Sequence, residues 1–107
     1  MKTPFDVILF KNALHKGDIM WRKHAAEKMI QRGILRQEVI DTLESGECIQ
    51  IYEYDKPFPS ALFLGFIEQR PIHVVASFDE SAALIYIITA YVPSLAIFEP
   101  NFKTKIK

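Results

Sequence analysis

Residues 34–52 read ILRQEVIDTLESGECIQIY, and within them the spacing of apolar side chains changes from helical to alternating. Val39, Ile40 and Leu43 share one face of a helix predicted over Arg36 to Ser45, because residues three and four apart are neighbours on a helix surface. Gly46 stands where the C-terminal cap of that helix belongs. Beyond it Ile49 and Ile51 alternate with Gln50 and Tyr52, the period of a strand with one buried face. The chain divides at Gly46, with helices before it and strands after it.

Upstream, Thr3-Pro4-Phe5-Asp6 carries a capping residue, a proline at the first helical position and an acid three residues after the threonine, so a first helix is predicted from Pro4 to about His15. Gly17 ends it, and Ile19-Met20-Trp21 reads as a short extended link or an edge strand. Ala25, Ala26, Met29 and Ile30 recur at helical spacing from Arg22 to Arg32, a second helix stopped by Gly33. Downstream, the turn formers of Asp55 to Pro59 precede three more strand-like runs, Ala61 to Ile67, Pro71 to Phe78 and Ala83 to Val92, separated by connections of hairpin length. The prediction is a single α+β domain over residues 1–107, its N-terminal helices packed on a four-stranded antiparallel sheet. Met29, Ile30, Val39, Leu43, Val74, Ile85 and Ile87 are the expected shared core, and the tail from Pro93 onward reads as frayed.

Half of the 107 residues are hydrophobic, which supports a folded core rather than disorder. Thirteen basic and thirteen acidic residues cancel, so no net positive charge draws the chain toward nucleic acid or an anionic membrane at long range. The single cysteine, Cys48, has no intramolecular partner and fits a reducing, cytoplasmic setting. The apolar run from Phe5 to Phe10 is too short for a signal or a membrane span.

An ordered series of residues carries a resemblance: His24-Ala25 with Met29, Arg32-Gly33-Ile34, Glu38-Val39, Gly46-Glu47, Pro59-Ser60, Arg70-Pro71, His73-Val74-Val75 and Thr89-Ala90-Tyr91 with Pro93. The chain resembles, over about Trp21 to Phe98, the bacterial family catalogued as a domain of unknown function, DUF 4258. Leu35, Phe98 and Lys28 depart from the pattern, standing where a Ser or Thr cap, a Trp and an Arg are more usual. Members of that family are similar to the small RelE- and BrnT-type toxins of toxin–antitoxin pairs, which set two helices against an antiparallel sheet and cut RNA. The resemblance thus implies a RelE-toxin-like fold, an RNA substrate and a cognate antitoxin-like partner protein.

Polar residues at definite positions give that implication a chemistry to test. His24, Lys28 and Arg32 are spaced by four and form one cationic stripe along the second helix, drifting only ~80° over two turns. Such a stripe is either a phosphate clamp with His24 as proton-transfer group or a solvated helix face. His73 lies on the third strand with its ring opposite Ile72 and Val74. With Tyr91 it reads as a second catalytic group in metal-independent RNA cleavage or as a strand histidine satisfied by its neighbours. Arg70 and Tyr52 are candidate substrate contacts, one for phosphate and one for stacking on a base. The expectation is that His24, His73 and Tyr91 converge on one pocket rimmed by Lys28, Arg32 and Arg70.

Glu38 and Glu47 read as structural, and the acidic turn edge Tyr52-Glu53-Tyr54-Asp55 as a partner-facing or merely solvated surface. No HExxH, CxxC or glycine-rich phosphate loop is present, so neither a metal nor a cofactor is expected. Three readings remain: a toxin-like endoribonuclease, a non-catalytic protein-interaction domain of a toxin–antitoxin-like pair, and a small-anion-binding domain. The sequence leaves the oligomeric state open.

Overall fold

The computed structural model describes residues 5–94 and 100–104. Helix α1 spans Val7–Lys16. Its start is set by Asp6, whose carboxylate accepts from the backbone N–H of Ile8 at 3.0 Å and of Leu9 at 3.1 Å. The helix therefore begins later than the expected Pro4; Thr3 and Pro4 themselves lie outside the described residues. Gly17, at φ 78°, takes the left-handed conformation that ends the helix and turns the chain into strand β1, Ile19–Trp21. Helices α2, Lys23–Gln31, and α3, Arg36–Ser45, follow within a residue of the predicted bounds.

Strands β2, Glu47–Tyr52, β3, Ser60–Ile67, β4, Arg70–Asp79, and β5, Leu84–Tyr91, form the antiparallel meander that the alternation predicts. The expectation of a four-stranded, wholly antiparallel sheet is corrected by β1. It pairs in parallel with β5, Ile19 beside Ile85 and Trp21 beside Ile87, giving a five-stranded mixed sheet of order β1-β5-β4-β3-β2. The strand coincides with the stretch Ile19-Met20-Trp21 read as an extended link or edge strand, but three residues are too few to show which strand it pairs with or in which direction. The tight β3–β4 connection has Glu68 and Gln69 both at positive φ, which the two-residue hairpin twist requires.

Pairing assigns the faces. Ala61 beside Ala76, Phe63 beside Val74 and Gly65 beside Ile72 point to the side that the helices cover, with Ile85, Ile87 and Ala90 of β5. Ala25 and Met29 of α2 and Val39 and Leu43 of α3 bury against them. Phe10 of α1 is wholly buried, stacking on Phe63 at 5.2 Å and meeting Phe78 edge-on at 5.6 Å. Of the predicted core only Ile30 fails, at 80% exposed. Helix α2 is short and lies over β5 near the sheet edge, so it buries only the narrow stripe of Ala25 and Met29, and Ile30, one position on from Met29, points away.

The remaining strand residues, Leu62, Leu64, His73, Val75, Ser60 and Ser77, alternate onto the opposite face, which none of the described helices covers. Two irregular segments cover its ends. At one end the 53–59 connection crosses toward β5, where Phe58 stacks on Tyr86 at 5.7 Å. At the other, residues 100–104 return to the sheet, with the ring of Phe102 edge-on to Phe66 and Lys103 paired with Glu47 at 2.9 Å. The expectation of a frayed tail is therefore corrected for these residues and for the buried Pro93; Phe98, Lys105 and Lys107 lie outside the described residues.

Candidate functional site

His73 sits on β4 with its ring wholly buried on the face away from the helices. Its Nε2 lies 2.7 Å from the carbonyl oxygen of Phe102. A carbonyl can only accept, so Nε2 carries the proton, and Nδ1 of the neutral ring accepts from the Tyr91 hydroxyl at 3.2 Å. Burial lowers the basicity of His73, with the Phe102 carbonyl opposing it, and so favours the neutral ring. Burial likewise pushes Tyr91 up, helped by the nearby Tyr52 and opposed by Arg32, so Tyr91 is a neutral phenol that donates.

His24 is not part of this arrangement. It is exposed on α2, whose Ala25 and Met29 pack on the helix-covered face. Because His73 points opposite to its neighbours Ile72 and Val74, the sheet separates the two histidines. The expected convergence of His24 with His73 and Tyr91 is corrected accordingly, and no proton relay of hydrogen-bond reach joins them.

Two of the cations expected at a phosphate rim, Arg70 and Arg32, have other engagements. Arg70 donates to Glu38 Oε2 at 2.6 Å and to the Gly33 carbonyl at 3.2 Å, tying the β3–β4 hairpin to the α2–α3 turn. Glu38 in turn accepts from the N–H of Leu35 at 2.9 Å, which holds its carboxyl below the ordinary range together with Arg70. That bond supplies half of the capping interaction at a helix start where Leu35 offers no capping side chain. Arg32 donates to the carbonyl of Ala90 at 2.9 Å and to Thr89 Oγ1 at 3.3 Å, satisfying β5 beyond the end of β1. Lys28 is half-buried on α2.

Between the two end segments the open face holds a cavity of about 820 Å³, within the roughly 300–1,000 Å³ typical of ligand sites. Val75, Ile88 and Thr89 form its β4–β5 side, and Tyr52 to Asp55 its β2 side. Ile88 reaches it through a bulge, since Val75 pairs with Thr89 but Ala76 pairs with Ile87, leaving Ile88 without an opposite residue. Asp55 is held at the rim, accepting from Ser60 Oγ at 2.6 Å and from the N–H of Lys56 at 3.1 Å. Among the described residues the charged side chains lining the cavity are acidic, Glu53 and Asp55.

Of the residues singled out in the sequence, the structure thus brings His73, Tyr91, Tyr52 and Arg32 to one face or its edge and leaves His24 and Arg70 elsewhere. Sequence reasoning did not find Val75 and Ile88; their signal, two apolar residues on an otherwise alternating sheet face, is also that of a strand buried on both sides. Among the described residues no group of three or more His, Cys, Asp or Glu could hold a metal ion, and no helix is long and apolar enough to cross a membrane.

A family model described as "Domain of unknown function (DUF4258)" matches residues 21–92. The match takes in the sheet from the end of β1 through β5 with α2 and α3, and omits α1 and the 100–104 segment. Comparison with curated proteins gives no match, and neither does comparison with solved structures.

Proposed function

Since this chain belongs to the family of the domain of unknown function DUF4258, and the family carries no activity with it, we propose from its own geometry that the domain is a non-catalytic protein-interaction module. The observation that carries the reading is the open, partly apolar cavity on the uncovered sheet face. Exposed side chains gather there, Ile51 at 38%, Tyr52 at 41%, Tyr54 at 84% and Ile88 at 38%. Such a patch costs free energy in water and is stabilised when a partner covers it. In keeping with the resemblance to RelE- and BrnT-type toxins, the partner is the counterpart of a toxin–antitoxin-like pair in the cytoplasm.

Charge weighs against the two other readings. An RNA backbone or a small anion needs cations at the site, whereas Glu53 and Asp55 line the cavity and Arg32 and Arg70 hold the fold together. One observation favours an endoribonuclease: Tyr91 donates to His73, which is itself held by Phe102, a phenol–imidazole pair of the kind that transfers protons. Inducible expression in bacteria with message integrity followed over time separates the readings. Intact message is expected; cleavage that disappears with Tyr91→Phe selects the enzyme and overturns the interaction reading.

A further inference from the structure

Resting on that reading, we infer that the cavity takes a partner-protein segment in which apolar side chains flank a lysine or arginine, the cation seated among Tyr52, Glu53, Tyr54 and Asp55. The geometry divides the cavity into two chemistries. Its β4–β5 side, Val75 and Ile88, offers apolar surface to aliphatic side chains. Its β2 side offers two carboxylates and two phenol rings, and both kinds of group attract a cation: the carboxylates by charge, the ring faces by their quadrupole. Among the described residues no lysine or arginine lines the cavity beside those carboxylates.

Preorganisation strengthens the assignment. The bonds from Ser60 Oγ and the Lys56 N–H hold the Asp55 carboxylate at the rim before a partner arrives. Ser60 is itself fully buried, so the carboxylate is fixed to the sheet rather than to a solvated side chain. A carboxylate accepts from several donors, which leaves capacity for an incoming ammonium or guanidinium. The size also fits, since about 820 Å³ accommodates several side chains but not a folded domain. An apolar segment without a cation would leave both carboxylates partly desolvated with no added counter-charge, and an acidic segment would add repulsion.

The test uses the full chain and three fluorescein-labelled synthetic peptides that alternate leucine with lysine, glutamine or glutamate, with fluorescence polarisation for affinity and backbone amide shifts for location. The leucine–lysine peptide is expected to bind most tightly, to shift the amides of Val75, Ile88 and Thr89, and to weaken with salt. The double variant Glu53→Gln, Asp55→Asn should weaken it by about tenfold or more while leaving the far-ultraviolet circular dichroism unchanged. Tyr54→Ala, at an exposed position, should weaken it without any fold change and serves as the second variant.

Equal affinity for all three peptides, with shifts still at the cavity, overturns the cationic partner but leaves the interaction reading in place. Absence of cavity shifts with every peptide overturns both. Cavity shifts that grow with protein concentration alone assign the face to a second copy of this chain and overturn the inference.

Discussion

His73 Nε2 donates to the carbonyl of Phe102 at 2.7 Å, joining the middle of β4 to a segment that follows the last strand. This bond fixes the tautomer of a buried ring and anchors residues 100–104 at one end of the open sheet face. The ring has a hydrogen-bond partner on each nitrogen, Tyr91 on one and Phe102 on the other.

Burial of the ring predicts how stability depends on pH. Burial sets the folded His73 below the ordinary histidine value of 6.5, so the unfolded chain binds the proton more readily than the folded one, and stability rises with pH in this window. The contribution is complete above about pH 6.5 and declines as pH falls below it toward the folded value. His73→Gln should destabilise the domain at pH 8 by about 1–3 kcal/mol, and thermal unfolding should show the gap from the native chain narrowing toward pH 5.5. Parallel curves would place the titration elsewhere.

Arg70 and Glu38 form a structural clamp. Arg70→Ala should lower stability by about 1 kcal/mol, since a part-buried carboxylate loses its partner while its bond to Leu35 remains. Because the Glu38 carboxyl is held below its ordinary value, its contribution is present above the unfolded carboxylate range and fades as pH falls through the folded one. Urea titrations of the native chain and the variant at pH 7 and pH 3.5 should therefore differ more at pH 7.

Gly65 lets α3 approach β3. A Cβ there would lie 2.9 Å from Thr42 Oγ1 and 3.1 Å from Thr42 Cα, the latter part of the helix backbone. Gly65→Ala should therefore cost about 1–3 kcal/mol, read as a drop in the denaturant midpoint. An unchanged midpoint would mean that the helix shifts without loss.

Neighbouring residues on α2 should respond oppositely to truncation. Met29→Ala removes a side chain only 2% exposed and should cost about 2–5 kcal/mol. Ile30→Ala, at a position 80% exposed, should fall within about 0.5 kcal/mol of zero.

The division at Gly46, the two helices after β1 and the four-strand meander were legible because each spans enough residues to display its period. The stretch of β1 was read as an extended link or edge strand, but its membership of the sheet was not legible, since that lies in parallel pairing with Ile85 to Ile87. Ile30 was misplaced because periodicity gives the direction of an apolar face but not its width, which depends on where α2 lies over the sheet. At the site, composition and type pointed to His73, Tyr91, Tyr52 and Arg32, and the fold does place them near one another. What sequence could not supply was the fate of each polar group: that Phe102 would satisfy His73, that Glu38 would occupy Arg70, and that a bulge would turn Ile88 outward. These depend on contacts between residues far apart in the chain.

The most direct measurement is photo-crosslinking in living cells with a benzophenone side chain in place of Ile88, compared with the same group in place of the exposed Glu27 on α2. If the open face receives a partner, the Ile88 position gives a discrete protein adduct that Glu27 does not, and the adduct is lost with Glu53→Gln, Asp55→Asn. No adduct from Ile88, or the same adducts from both positions, would contradict a binding role for this face.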